Sequence, residues 1–360
     1  MHRISALAIC LFASIHLAIA GPVGFTQQNL VSNMPGVADH TDPDLQNAWG
    51  LATSATSPFW VGDNGSGKST LYNTTGTKQG LVVAIQGDGS VTGVAFAGGV
   101  GFNSDTFLFA SEDGTFSGWR GALGTTAEIL ASPDPTNVYK GLDFANIGGH
   151  GYAYLANFRT GGIDVKKGDP GAPSLTGNFT DPNLPSGYAP FNIRILSGSI
   201  YVTYAVQDAA KKDDVAGAGN GIVDRYDLQG NLLGRIATQG DLNSPWGLAI
   251  APVGFGDLGG DLLVGNFGDG RIHAFDPVTG FEKETLMDAG GNPLSIDGLW
   301  ALKFGNGGNG GVTSKLYFTA GPNDEANGLF GSLTAAPEPS TVLFVALPLG
   351  WLLYRRRERR

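Results

Sequence analysis

The alternation of apolar runs and polar turns is plainest from Ser244 to Gly280, which reads SPWGLAIAPVGFGDLGGDLLVGNFGDGRIHAFDPVTG. Residues 246–250 form an apolar run opened by Ser244-Pro245, residues 261–266 form a second, and residues 271–275 alternate in character. Asp269-Gly270 between the last two runs is a strong signal for a tight hairpin. Asp276-Pro277-Val278-Thr279-Gly280 has the composition of a turn. The stretch predicts an antiparallel meander of at least three strands.

The same order of runs recurs along the chain. First runs fall at 48–52, 92–96, 140–144, 190–193, 246–250 and 297–301, and each is followed by a second and a third run. A glycine opens the first strand at Gly50, Gly93, Gly141, Gly247 and Gly298, with Asn192 in its place in one copy. The intervals are roughly 43–55 residues, the period of a repeat in which each unit is a small antiparallel sheet. One such sheet cannot bury both faces alone, so the units stack around an axis. The expected fold is all-β, a six-bladed β-propeller resembling the NHL and SMP-30-like architectures, with the first strand of each blade lining the channel. A glycine there lets neighbouring backbones crowd near the axis. Prolines 170, 173, 182 and 185 argue against a seventh blade hidden in residues 165–186. Residues 24–33 read as a strand ahead of the first full copy. They are expected to complete the blade that holds residues 328–333, which hides an otherwise open sheet edge.

Three segments divide the chain: 1–20, 21–335 and 336–360. Residues 1–20 look like a secretory signal peptide, with Arg3, an apolar stretch at 4–15 and an Ala18-Ile19-Ala20 cleavage site. The single cysteine, Cys10, lies inside it, so the exported body would have neither disulfide nor thiolate chemistry. At the other end Pro337-Glu338-Pro339 is followed by an apolar run at 341–354 and then Arg355-Arg356-Arg357-Glu358-Arg359-Arg360. The run is short for a membrane span, which takes about 20 residues, and the arginines would hold the tail on the cytoplasmic side. This order closely resembles the PEP-CTERM sorting signal. The resemblance implies an exosortase-type processing enzyme as partner, a transmembrane helix that anchors the protein before processing, and a final place in the cell envelope or outside the cell.

The whole chain carries −10. Without the two terminal segments the body has sixteen basic and thirty acidic residues and a charge of −14. Such a surface repels phosphate backbones, so nucleic acid is not an expected partner. Extracellular polysaccharide, envelope components and cations fit better. From Asn29 to Gly76 the runs NLVSNMPGVADHTDPDLQNAWGLA and SPFWVGDNGSGKSTLYN resemble a family of secreted bacterial proteins known only as conserved hypotheticals. FTDPNLPSGYAPFNI and NSPWGLAIAP extend the likeness over most of the body. That resemblance implies a propeller-like fold and brings no activity with it.

Candidate chemistry is sparse. Residues 62–69 match G-x-x-x-x-G-K-[ST], but the β-branched and turn-like run that follows does not start the helix a phosphate-binding loop needs. The body's histidines, His40, His150 and His273, lie in different copies at no metal-binding spacing. Asp39, Asp42 and Asp44 would suit either a cation or an ordinary turn. Equivalent positions of a propeller converge on one radius. On that ground Asp63, Glu112, Asn157 and Asn266, at the ends of the second strands, are candidate Ca²⁺ ligands, since calcium takes 6–8 oxygens. Asn47, Trp49, Asn192, Trp246, Asp297 and Trp300, on or beside the first strands, are candidates for a ligand-binding channel mouth. Strand capping by the Asn and Asp residues and blade packing by the tryptophans are the plainer alternatives. Two functions follow: a non-catalytic binding or scaffold module, or a metal-assisted hydrolase or lyase with its site at the mouth. The absence of any nucleophile or metalloprotease motif favours the first. The insertions at 165–186 and 211–221 would lie at the propeller faces, where binding loops usually sit.

Overall fold

The computed structural model describes residues 24–336. The segments expected to be a signal peptide and a sorting signal, the latter including Pro337, Glu338, Pro339, Arg355, Arg356 and Arg357, lie outside the described residues. Among the described residues no helix is long and apolar enough to cross a membrane.

The strands form six sheets in chain order, antiparallel except for the short parallel pairings of Gly24–Ser32 with His40–Thr41 and Met287–Asp288, which makes a six-bladed β-propeller. In blade 1 the order outward is Ala48–Ala52, Phe59–Asp63, Lys68–Tyr72 and Lys78–Ala84. The inner strands of blades 2 to 6 are Val91–Phe96, Tyr139–Ile147, Tyr188–Leu196, Pro245–Ile250 and Leu299–Phe304. The strand Gly24–Ser32 pairs antiparallel with Leu329–Ala335 and closes the ring in blade 6, as the edge argument requires. Phe25, Leu30 and Val31 are buried by that pairing. The Gly-Lys-Ser segment is a plain hairpin: Gly67 N–H donates to the Asp63 carbonyl, and a strand follows.

Blade 3 has only three strands, and the proline-rich insertion supplies no fourth. The insertion instead sends Phe179 against Tyr154 and Tyr226, 5.6 and 5.4 Å between ring centres, filling the gap between blades 3 and 4. Similar aromatic contacts seal other blade interfaces. Trp60 of blade 1 stacks on Phe107 of blade 2 at 4.0 Å. Each fully buried large side chain contributes roughly 1.5–3 kcal/mol through its apolar area, so these interfaces form one core wrapped around the axis.

Every inner strand carries an irregularity near its start, between Ala48/Leu51, Val91/Gly93, Tyr139/Gly141, Pro190/Asn192, Pro245/Gly247 and Leu299/Leu302. A bulge leaves a residue outside the ladder and re-aims its side chain. The positions so released are Trp49, Thr92, Lys140, Phe191, Trp246 and Trp300. The residues after them are Gly50, Gly93, Gly141, Asn192, Gly247 and Ala301. This corrects the sixth copy: Gly298 stands before the strand at φ +65°, and Ala301 takes the crowded place. The crowding is real. A Cβ on Gly50 would lie 2.5 Å from the Thr92 carbonyl oxygen, and one on Gly141 would lie 2.8 Å from the Asn192 Cα.

Candidate functional site

At the mouth bounded by the hairpins between second and third strands, the axis is filled rather than open. Trp300 is sandwiched, with Trp49 stacked on one side at 3.7 Å and Phe267 at 3.9 Å. Trp246 meets Trp300 edge-on at 5.9 Å, and its indole N–H donates to the Lys140 carbonyl across the axis at 2.9 Å. Trp49, Trp246 and Trp300 are all buried, so their faces are spent on one another.

Above this aromatic plug lies a polar cluster drawn from five blades. The Lys140 ammonium, 3 % exposed, sits 2.5 Å from Glu112 Oε1 and 3.1 Å from Asp213 Oδ1. It also lies 5.1 Å from the centre of the Trp49 ring, a cation–π position. Asn64 Nδ2 donates to Glu112 Oε2 at 3.2 Å. Asn47 Nδ2 donates to Glu325 Oε2 at 2.6 Å and to Asn64 Oδ1 at 3.3 Å, while Asn47 Oδ1 accepts the Trp300 indole N–H at 2.9 Å. Asn47 therefore ties the plug to the polar layer.

The electrostatics follow from burial and pairing. Withdrawal from water pulls the Lys140 ammonium down, but the Glu112 and Asp213 carboxylates outweigh it and hold the amine above its ordinary range. Withdrawal from water pushes the Glu325 carboxyl up, with Glu112 and Asp213 adding to the rise and Asn47 and Lys140 opposing it. Glu325 is presented by an unusual turn: Asn323, Asp324 and Glu325 have φ of 59°, 53° and 64°. Three consecutive non-glycine residues in the left-handed region cost on the order of 1–2 kcal/mol each, strain that collects at functional turns. Beside the cluster a cavity of about 210 Å³ opens between blades 2 and 3. Asp88, Glu112, Asp113, Arg159 and Lys212 line it.

The structure brings together Asn47, Trp49, Glu112, Trp246 and Trp300 of the sequence candidates. Asn192 lies lower, with its Nδ2 bonded to the Trp246 carbonyl at 2.7 Å. Asp297 is exposed and accepts the Asn323 backbone N–H at 2.9 Å. Asp63, Asn157 and Asn266 do not join Glu112. Asp63 accepts the Thr70 N–H, Asn157 bonds Asn137 and Val138, and Asn266 donates to the Asp241 carbonyl, all within or beside their own hairpins. The register explains this: Asp63 pairs with Ala48 as Ser111 pairs with Val91, so Glu112 is one residue further on than the other three. One residue along a strand reverses the face. The positions equivalent to Glu112 are Asn64, Phe158 and Phe267. Lys140, Asn64, Asp213 and Glu325 are the residues sequence reasoning missed. Lys140 alone left a signal, as the one charged residue among Trp49, Thr92, Phe191, Trp246 and Trp300.

Other clusters are internally balanced. Asp42 and Asp44 are held by Lys78 at 2.8 and 2.6 Å, and Asp44 by Lys68 at 2.5 Å. Among the described residues, the His and carboxylate group close enough to share a metal is Asp241, His273 and Glu282, with ligand atoms within 4.8 Å. It lies in blade 5, away from the axial cluster.

No family model matches the chain. Two curated proteins of Acanthamoeba polyphaga mimivirus, the uncharacterized proteins R648 and L690, are each 31 % identical to it over 325 residues. The alignments cover 84 % of this chain, with 78 % of R648 and 84 % of L690. The chain belongs to the family of R648 and L690. This family assignment covers most of the propeller and brings no described activity. Solved structures resembling the chain include a PQQ-bound aldose sugar dehydrogenase from Streptomyces coelicolor, at 15 % identity and a TM-score of 0.48, covering 88 % of this chain and 100 % of the other. A streptogramin B lyase matches at 12 % identity and a TM-score of 0.45, covering 87 % and 97 %.

Proposed function

We propose that the protein is an exported binding or scaffold propeller of the cell envelope or extracellular matrix, without catalysis, released to its final place by exosortase-type processing of the C-terminal signal. One observation carries the non-catalytic reading. The Lys140 ammonium occupies the centre of the carboxylate cluster, where a metal-assisted hydrolase or lyase would need its Ca²⁺. Glu112 and Asp213 are the oxygens such an ion would use, and Lys140 already neutralises them. The tryptophan plug supports the same reading, because Trp49, Trp246, Trp300 and Phe267 fill the space directly beneath the cluster with one another's rings. What is left is a rigid acidic surface with carboxamides and a shallow polar cavity, suited to hydroxyl-rich polymers or cationic partners. The order of Pro337-Glu338-Pro339, a short apolar run and arginines supports export and processing.

Metal analysis and calcium titration of the native protein test the first part. No stoichiometric divalent ion and no change in unfolding midpoint with millimolar calcium are expected; about one tightly held ion per chain would overturn the reading. Mass spectrometry tests the second. In cells that possess the processing enzyme, a peptide spanning residues 341–354 still joined to the propeller would overturn the sorting proposal.

A further inference from the structure

The opposite end of the channel has a different chemistry. There the inner strands present, at equivalent positions two residues beyond the crowded glycine, Ala52, Ala95, Asp143, Arg194, Ala249 and Lys303. Two cations thus face one carboxylate in a body whose net charge is strongly negative. Asp143 is already committed: Oδ2 accepts the Ile195 N–H at 2.7 Å and Oδ1 accepts the Phe144 N–H at 2.8 Å. Arg194 reaches it only at 3.7 Å through Nε, which is buried and has no hydrogen-bond partner among the described residues. Lys303 is half-buried and makes no hydrogen bond or ion pair among the described residues. Withdrawal from water, with Arg194 close by, brings its amine down to about 8 despite the opposing pull of Asp143. The buried Arg194 Nε–H lacks a hydrogen-bond acceptor, and a bound anion would supply one.

A cavity of about 270 Å³ opens at this place. Arg194, Ser197 and Lys303 supply its polar wall, and Leu248, Ile250 and Phe304 supply its apolar wall. Ser197, at φ 49°, stands at the turn between the first two strands of blade 4. A guanidinium binds oxyanions through paired N–H groups, and an ammonium adds a point charge.

We propose that this mouth is a binding site for a small anion, a carboxylate or phosphate carried on a short apolar body, with Arg194 and Lys303 holding the charged group. The acidic surface elsewhere would keep polyanions away and admit a compact anion from this end only.

The test uses the full-length protein with three probes at matched ionic strength: sodium hexanoate, inorganic phosphate and neutral 1-hexanol. Calorimetry and thermal shift are expected to detect hexanoate or phosphate and not hexanol. Tighter binding of hexanoate would assign an amphipathic carboxylate, and tighter binding of phosphate a phosphate-bearing ligand. Lys303→Met and Arg194→Gln are each expected to weaken binding at least tenfold. Should either variant fail to fold, reductive ¹³C-methylation of the unaltered protein reads the same site, because the Lys303 dimethylamine resonance should move on addition of the anion. Binding of neither anion, equal binding of hexanol, variants that bind like the parent, or a Lys303 resonance that stays in place would each overturn the proposal.

Discussion

Replacing Lys140 with methionine probes the axial cluster most directly. Methionine keeps most of the apolar stem and removes the charge. The change leaves Glu112, whose side chain is 12 % exposed, next to Asp213 and Glu325 with no counter-ion. Asp213 is 61 % exposed, so its own pairing contributes little. Glu112 is the term that matters, and stripping one partner from a buried pair costs about 3–5 kcal/mol. Loss of the cation–π contact with Trp49 adds on the order of 0.5–1 kcal/mol. At about 2 °C per kcal/mol for a domain of this size, the midpoint should fall by roughly 7–12 °C, measured by calorimetry at pH 7. The same variant frees the carboxylates of Glu112, Asp213 and Glu325 and the carboxamide oxygens nearby for an added cation. Calcium at a hundredfold excess over its dissociation constant should return about 2.7 kcal/mol to the variant and nothing to the parent protein. A variant as stable as the parent would refute the idea that the ammonium holds the cluster. A parent protein that gains stability from calcium while the variant does not would refute the idea that Lys140 stands in for a metal ion.

Gly93→Ala should lower stability by about 1–3 kcal/mol or more, because the new Cβ would lie 2.5 Å from Leu142 Cβ and 2.6 Å from the Leu142 backbone nitrogen. Gly80→Ala on an outer strand, where nothing lies within 4 Å, is the control and should leave the thermal midpoint nearly unchanged. Burial, with Asp181 nearby, pushes the Asp224 carboxyl up to about 7 despite Arg235. The folded chain therefore takes up this proton well above the pH at which the unfolded chain does. Its contribution to stability falls as pH rises from about 4 towards 7 and is level above that. Asp224→Asn should flatten that part of a denaturant-midpoint profile, and an unchanged slope would count against the shift. Deleting residues 24–33 removes the closing strand and bares the edge of Leu329–Ala335, so the shortened chain should aggregate or fail to melt cooperatively. A synthetic peptide of those residues, added during refolding, should restore the melt.

Period and composition determined the blades. Glycine near the start of a first strand, apolar alternation and turn-forming residues are local properties that recur from copy to copy, so the propeller, its count of six and its strand closure were readable. The P-loop-like run was readable as a hairpin for the same reason, since a β-branched stretch after Lys68 does not start a helix.

Facing was decided by the tertiary structure. Asp63 and Glu112 look equivalent by eye, yet the bulge and the pairing register put them one residue apart, and a strand turns each side chain to the other face at every step. Pairing register also placed the sixth crowded position at Ala301, three residues beyond Gly298. Convergence was also beyond the sequence. Asn47 and Glu325 are 278 residues apart, and Lys140 and Asp213 are 73 apart. Only closure of the ring brings them within hydrogen-bonding distance. A single repeat encodes how its own strands pair; which side chains meet on the axis depends on all six repeats closing, and that geometry belongs to no local stretch of the chain.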